Sequence, residues 1–335
     1  MVAFLLNNIF YNSKQFHLGI SNITVCLFLW KVTKIQTILN KNFTFYKKYD
    51  IIILLLLGGD FSIKQLYISD LDGTLLDKIG KLSEFSINTL NYLIDKGMYF
   101  TFATARSIYS AKPITSSLNL NIPYILMNGV SIYNPQNNTY VNNEYISVEV
   151  SDEIIRIFKE NNLKCFMYKI DENILTAYFT EITSQVMQSF AESRKNNYNK
   201  PFVQCKDFAE VADDKTIYYT ITEEYERLLP VKNAVEKLKD INFAFYQDTY
   251  TQKYFLEIFS ATASKADGIK FLKNNYDFEK VICFGDNFND MPMFKESDIK
   301  IAVGNAVPEL KKLADFITLS NENDGVAKWL AENYR

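Results

Sequence analysis

The chain predicts an α/β protein: a doubly wound parallel-sheet core that carries an inserted α+β domain. Three observations carry this reading. From residue 63 onward, short apolar runs alternate with segments of helical periodicity. Those runs are apolar almost throughout, as strands covered on both faces are. Between about residues 145 and 251 the alternation gives way to strands in pairs, the pattern of an antiparallel sheet beside helices.

The first strand is "IKQLYISDLDGT", ending in a glycine turn. The helix "SEFSINTLNYLIDKG" follows, with Ser83 as its N-cap and Gly97 at its C-terminal end. "MYFTFATAR" reads as a second buried strand, "SIYSAKPITSSL" as a helix and "IPYILMNGVSIY" as a third strand. In the insertion, "SDEIIRIFKENN" is helical, "KCFMYK" and "ILTAYFT" form a hairpin, and "SQVMQSFAESRK" is helical. "KTIYYTI" is then a strand, "EEYERLLPVKNAVEKLK" a helix broken near Pro230, and "NFAFYQ" a strand. The parallel pattern resumes with "YFLEIF", "SKADGIKFLKNN", "KVICFGD", "NDMPMFKES", "DIKIAVG" and "PELKKLA". The expected domains are therefore a core of residues 63–144 and 252–335, interrupted by an insertion at 145–251. A chain of 335 residues has room for both, because single cores stop growing near ~250–300 residues.

Residues 1–62 read differently. "TVCLFLW" and "IIILLLL" are too short for a membrane span of ~20 apolar residues and show no stable periodicity. Two readings stay open: an irregular extension or short apolar hairpin, and translated upstream DNA that is absent from the native protein. In the second, Gly58-Gly59 would be encoded by a purine-rich ribosome-binding sequence a few codons before Ile63. Intact mass separates them, since a native species beginning at Met1 excludes the second.

Composition narrows the chemistry. With 48% hydrophobic residues, 22% charged residues and a net charge of −3, neither disorder nor a nucleic-acid-binding surface is expected. Cys26, Cys165, Cys205 and Cys283 lie far apart without CxxC spacing, which fits free thiols in a reducing compartment and a cytoplasmic protein. His17 is the one histidine, so Ser-His-Asp hydrolases and most zinc or copper sites are excluded. Carboxylates, lysine, hydroxyls or a hard metal ion must run the chemistry.

Ligands of open α/β sheets bind beyond the carboxyl ends of the strands. Asp70 and Asp72 follow the first strand, Thr104 the second, Asn128 the third and Asp286 the strand "VICFG", while Lys265 opens a helix. Two carboxylates one residue apart repel unless a cation or proton relieves them. A hard dication such as Mg²⁺ takes a few carboxylates, waters and substrate phosphate oxygens. Asp70 and Asp286 can offer side-chain oxygens and Asp72 its backbone carbonyl, which leaves the Asp72 carboxyl free to handle protons.

"DLDGTLL", "TFATARS", "SKADGIKFL" and "GDNFNDMPMF", with "AVGNAVPELKKLAD" and "NDGVAKWL" after them, resemble the four ordered motifs of the haloacid dehalogenase superfamily. The insertion resembles the type IIB cap of its Cof-type phosphatases. This resemblance, over residues 63–335, implies a Mg²⁺-dependent phosphatase for small phosphorylated metabolites, most of all sugar phosphates. It implies Asp70 as nucleophile and Asp72 as proton donor, then base. Thr104 and Lys265 would hold phosphate oxygens, and Asp286, with Asp290 nearby, the metal. Leu71, Gly73 and Thr74 would form the phosphate turn, with Arg106, Asn128 and Asn289 on the substrate side. A phosphosugar mutase and a non-catalytic phosphometabolite-binding regulator remain alternatives, and the oligomeric state is open.

Some assignments carry a structural alternative. Thr104 could only satisfy strand-end backbone, Asn128-Gly129 could be only a turn, and Asp290 could be chiefly a helix-start cap. Asn305 reads as a cap before Pro308, in preference to a residue facing the phosphate. Ala105 stands where relatives often have glycine, and the loop is expected to persist without a left-handed residue there. The aromatic residues Phe166, Tyr168, Tyr178, Tyr218 and Tyr219 read as sheet core, with one sheet face left to close over the site.

Overall fold

The computed structural model describes residues 63–247 and 252–334. The segment 1–62, with both readings of it, Cys26 and His17, lies outside the described residues. Along the chain come β1 (Gln65–Ser69), α1 (Glu84–Asp95), β2 (Tyr99–Phe102), α2 (Ile108–Thr115), β3 (Tyr124–Leu126), β4 (Ser131–Asn134) and β5 (Thr139–Asn143). Then follow α3 (Val148–Glu160), β6 (Phe166–Asp171), β7 (Ile174–Phe179), α4 (Gln185–Tyr198), β8 (Phe202–Gln204), β9 (Thr216–Glu223), α5 (Tyr225–Val235) and β10 (Ile241–Gln247). The last part comprises β11 (Tyr254–Ser260), α6 (Lys265–Tyr276), β12 (Lys280–Gly285), α7 (Met291–Glu296), β13 (Ile299–Ala302), α8 (Pro308–Leu313), β14 (Phe316–Ile317) and α9 (Gly325–Asn333).

A five-stranded sheet in the order β14-β13-β12-β1-β2, parallel throughout, is the central layer. Leu66, Ile68, Phe100, Val281 and Phe284 are fully buried, which explains why these strands are apolar on both faces. α1 starts where the Ser83 hydroxyl accepts from the Ser86 amide at 2.9 Å, and it turns out of the helix at Gly97, whose φ is +97°.

A second sheet runs β10-β11-β9-β6-β7-β8 and is antiparallel except for β7 with β8. Its two faces differ, as the period of two requires. Met167, Tyr219, Ile221, Leu256 and Ile258 point into a cluster with α3 and α5. Tyr168, Tyr218, Thr220, Phe255 and Glu257 point the other way, toward a cavity shared with the loops of the parallel sheet. The aromatics are thus split: Phe166 packs edge-on and stacked among Phe179, Phe190 and Phe202, and Tyr219 lies against Phe158, but Tyr168 and Tyr218 line the cavity.

Three readings of the sequence are corrected. "IPYILMNGVSIY" is two strands, because Met127, Asn128 and Gly129 all take positive φ (50°, 56° and 98°) and fold the chain back. β3 therefore pairs antiparallel with β4 and meets the parallel sheet at one bridge, Ala103 to Ile125. "YFLEIF", read as the return to the parallel sheet, is β11 and pairs antiparallel with β9 and β10. α5 continues through Pro230; the missing amide is tolerated because Leu228, Val231 and Val235 are fully buried against the second sheet. No helix among the described residues is long and apolar enough to cross a membrane.

Candidate active site

At the carboxyl end of β1 the chain enters a wide turn, Leu71–Leu75, closed by the Leu76 amide on the Leu71 carbonyl at 2.9 Å. Gly73 sits in it with φ +78°, and a Cβ there would overlap the Asp286 carboxylate. Only glycine satisfies both the dihedral and the close approach. Gly73→Ala is accordingly expected to destabilise the fold by about 2 kcal/mol; an unchanged midpoint in urea would contradict this.

Asp70 is buried, with its amide bonded to the Phe284 carbonyl at 3.0 Å. Lys265, the first residue of α6 after its cap Ser264, is 1% exposed. Its Nζ donates to Asp70 Oδ1 and to Asp290 Oδ1, both at 2.7 Å. A cation at a helix N-terminus opposes the helix dipole, and these two carboxylates supply the compensation. Burial favours the neutral amine, yet Asp290 and Asp70 outweigh it and hold the lysine pKa above its ordinary value. Asp70 goes the other way. Burial, reinforced by Asp290 and Asp286 and only partly offset by Lys265, pushes its carboxyl well above the usual carboxylate range.

Asp286 follows β12 and accepts the Thr74 hydroxyl on Oδ1 at 2.7 Å. Burial pushes it up to about 6; the Thr74 bond opposes this, and the Asp290 charge adds to it. Asp290 is fully buried and committed at both oxygens: Oδ1 to Lys265, Oδ2 to the amides of Asp286 (2.9 Å) and Asn287 (3.1 Å). Oxygens of Asp70, Asp286 and Asp290 lie within 4.8 Å of one another, a spacing that suits a metal ion. Because Asp290 is already saturated, Asp70 and Asp286 are the better donors and Asp290 the residue that orients them.

Asp72 stands apart. Its side chain is 53% exposed and lies in the cavity wall, where Arg106 grips it from Nε (2.7 Å) and Nη2 (2.6 Å). Burial works against the guanidinium charge, and the forked Asp72 contact outweighs it and raises the Arg106 pKa. Thr104, 1% exposed, accepts the Arg106 amide at 3.1 Å and so fixes the start of the loop that carries that arginine. Ala105 is not among the positive-φ residues, so the loop needs no glycine there.

A family profile described as haloacid dehalogenase-like hydrolase matches residues 67–330. The chain belongs to the haloacid dehalogenase-like hydrolases. It is 24% identical over 270 residues to the 5-amino-6-(5-phospho-D-ribitylamino)uracil phosphatase YitU of Bacillus subtilis, covering 79% of this chain and 96% of that one. The crystal structure of TM0651 from Thermotoga maritima superposes with a TM-score of 0.68 at 26% identity, over 82% of this chain and 98% of that one. The subclass IIB sugar phosphatase BT4131 shares the fold with a TM-score of 0.61 at 20% identity, over 80% and 98%. As a haloacid dehalogenase-like hydrolase whose relatives include several named as phosphatases, the protein is a phosphatase enzyme.

In this hydrolase the structure gathers Asp70, Asp286, Asp290, Lys265, Thr74 and Gly73 at one point. Other residues have partners of their own. The Leu71 side chain is fully buried in the core, so only its backbone can face a ligand. The Thr74 hydroxyl serves Asp286, and Arg106 serves Asp72. Asn289 donates to Asn128 at 3.5 Å, and both line a second cavity together with Lys265. Asn305 does not cap α8, whose cap position is Val307; its Nδ2 donates to the Gly73 carbonyl at 2.7 Å and its Oδ1 accepts the Asn321 amide. Asn305 thus pins the glycine turn, a role that no local spacing signals.

Proposed function

We propose that this protein hydrolyses phosphomonoesters of small metabolites, with Mg²⁺ and through an aspartyl-phosphate, and that sugar phosphates are the leading substrate class. The observation that carries this is the contrast between two acids one residue apart: Asp70 buried on Lys265, Asp72 exposed to the cavity and held by Arg106. Lys265 can hold a phosphoryl group against Asp70, and Asp72, open to the cavity, faces the side where the leaving group must lie. Asp70 Oδ2 attacks phosphorus while Oδ1 stays on Lys265, and the bond from phosphorus to the leaving oxygen breaks. Asp72 gives its proton to that oxygen, then takes one from the water that attacks phosphorus, releasing phosphate and restoring the Asp70 carboxylate. Lys265 and Thr104 hold phosphoryl oxygens, with Asn128 and Asn289 on the substrate side. Asp70, Asp286 and the Asp72 carbonyl would hold Mg²⁺, which supplies charge neutralisation at the phosphoryl group.

The insertion at 145–251, extended to include β11, is read as the cap that excludes water and selects the leaving group. The sugar-phosphate reading is supported by the fold shared with a protein described as a sugar phosphatase. A cytoplasmic location is supported by Cys165, Cys205 and Cys283, all free thiols.

Phosphate release from a panel of phosphorylated metabolites tests the reading. Chelation is expected to reduce release to background and added Mg²⁺ to restore it; release that survives chelation would refute metal dependence. Movement of phosphate within a sugar would mark a mutase, and binding without turnover a regulator. The pH dependence has a definite sign. Asp286 takes a proton as pH falls through about 6, so protons compete with metal. Asp70, held higher still, takes its proton first, so the Mg²⁺ concentration giving half-maximal rate should rise by at least about tenfold per pH unit below that point. A concentration that does not change between pH 7 and pH 5 would contradict it.

A further inference from the structure

The cavity of about 340 Å³ between Asp72 and the second sheet is walled by two cations outside the machinery described so far, Arg194 and Lys200. The sequence "SRKNNYNK" places them together. α4 ends at Tyr198, Asn199 takes a left-handed φ of +52°, and the Lys200 amide returns to the Arg194 carbonyl at 3.3 Å. Lys200 is 5% exposed. Its ammonium lies 4.1 Å from the centre of the Tyr168 ring, and the Arg194 guanidinium lies 3.8 Å from that of Phe190.

Among the described residues neither cation has a carboxylate partner, and each works against a neighbouring positive charge. Burial, then Arg194, pushes the Lys200 pKa down to about 7. The acids of the same wall are already taken. Asp72 is clasped by Arg106, and Glu257 accepts from the hydroxyls of Tyr218 and Tyr246. A buried lysine and a half-buried arginine facing one cavity, whose two acids are already bonded elsewhere, cost stability, and an anion entering there would repay that cost.

We propose that Arg194 and Lys200 form a subsite for a second anionic group, so that the substrate is a phosphomonoester with a further carboxylate or phosphate on its leaving group. This rests on the phosphatase reading above and narrows it to phosphorylated sugar acids or sugar bisphosphates. Tyr168 and Tyr218 would lie along the carbon chain between the two charges. An arginine offers a planar fork and a lysine a point charge, a pairing suited to either anion.

The test uses matched substrates with Mg²⁺ present: 6-phosphogluconate against sorbitol 6-phosphate for a carboxylate, and fructose 1,6-bisphosphate against fructose 6-phosphate for a phosphate. At least one anionic member is expected to exceed its neutral partner about tenfold or more in kcat/KM. Lys200→Met and Arg194→Gln should each cut that ratio about tenfold, mainly through KM. The pair showing the preference identifies the second anion. A ratio near one in the wild type, or an unaltered ratio in both variants, overturns the proposal.

Folding is checked independently. Loss of an unpaired buried cation should raise the Tm of ligand-free Lys200→Met by a few degrees, and a lower Tm counts against the proposal. If no compound is hydrolysed, the phosphatase reading is what fails. The subsite is then judged on Asp70→Asn protein by whether 6-phosphogluconate or fructose 1,6-bisphosphate raises Tm more than its neutral partner. No preferential shift overturns it.

Discussion

Asp70→Asn is expected to lower phosphate release by about 10⁴-fold or more while the protein stays folded. An amide cannot form the acyl phosphate, and the metal site loses one of the two carboxylates that still have a free oxygen. The fold should survive because Asn keeps an oxygen for Lys265, and the lysine keeps Asp290 at 2.7 Å. The substitution also removes one negative charge from three crowded acids, so metal-free Tm should stay level or rise. The stabilisation that Mg²⁺ gives the wild type should shrink in parallel. Turnover within tenfold of wild type would remove Asp70 from the chemistry, whatever the Tm did.

Lys265→Met should cost about 3–5 kcal/mol of stability as well as activity, because it strips the cation from Asp70 and Asp290 in a dry site. The loss should depend on pH in a fixed direction. Without the lysine, the native carboxyls hold protons more tightly than the unfolded chain does, where aspartate titrates near ~3.9. The native state then binds more protons than the unfolded state, and stability falls as pH rises from there toward the raised native value. Urea unfolding at pH 5 and pH 8 should show the larger deficit at pH 8, with part of it recovered by Mg²⁺. An equal deficit at both pH values would mean that lost packing, not lost charge, is the cause.

The parts of the site that could be read in advance are those whose signal is local. Ser83 and Ser264 cap helices three residues ahead of the amides they bond, so their position in the chain reveals the role. Gly73 is tied to a positive φ by the turn it occupies. The placement of Asp70, Asp72 and Asp286 at strand ends follows from apolar runs that stop where they do. Asn305 is different. It bonds the Gly73 carbonyl 232 residues earlier, and nothing near Asn305 announces that partner.

The same distinction holds for the strands. That Tyr254–Ser260 is a strand is written in its residues, but its partners are not, because an apolar strand fits a parallel or an antiparallel neighbour equally well. Arg106 shows the electrostatic version: a basic residue beside Thr104 suggests phosphate, and it is the fold that brings Asp72 within 2.6 Å and claims it first. Asp290 is legible as a helix-start acid, yet its saturation by Lys265 and two amides arises where α6 meets the loop after β12. The order of acids, the glycine turn, the capped helices and the alternating layers were therefore present in the linear chain, since each depends on residues a few positions apart. Which acids share a cation, which arginine is occupied and which cations line the cavity were set by packing, since charges separated by tens or hundreds of residues act on one another only once desolvated side by side.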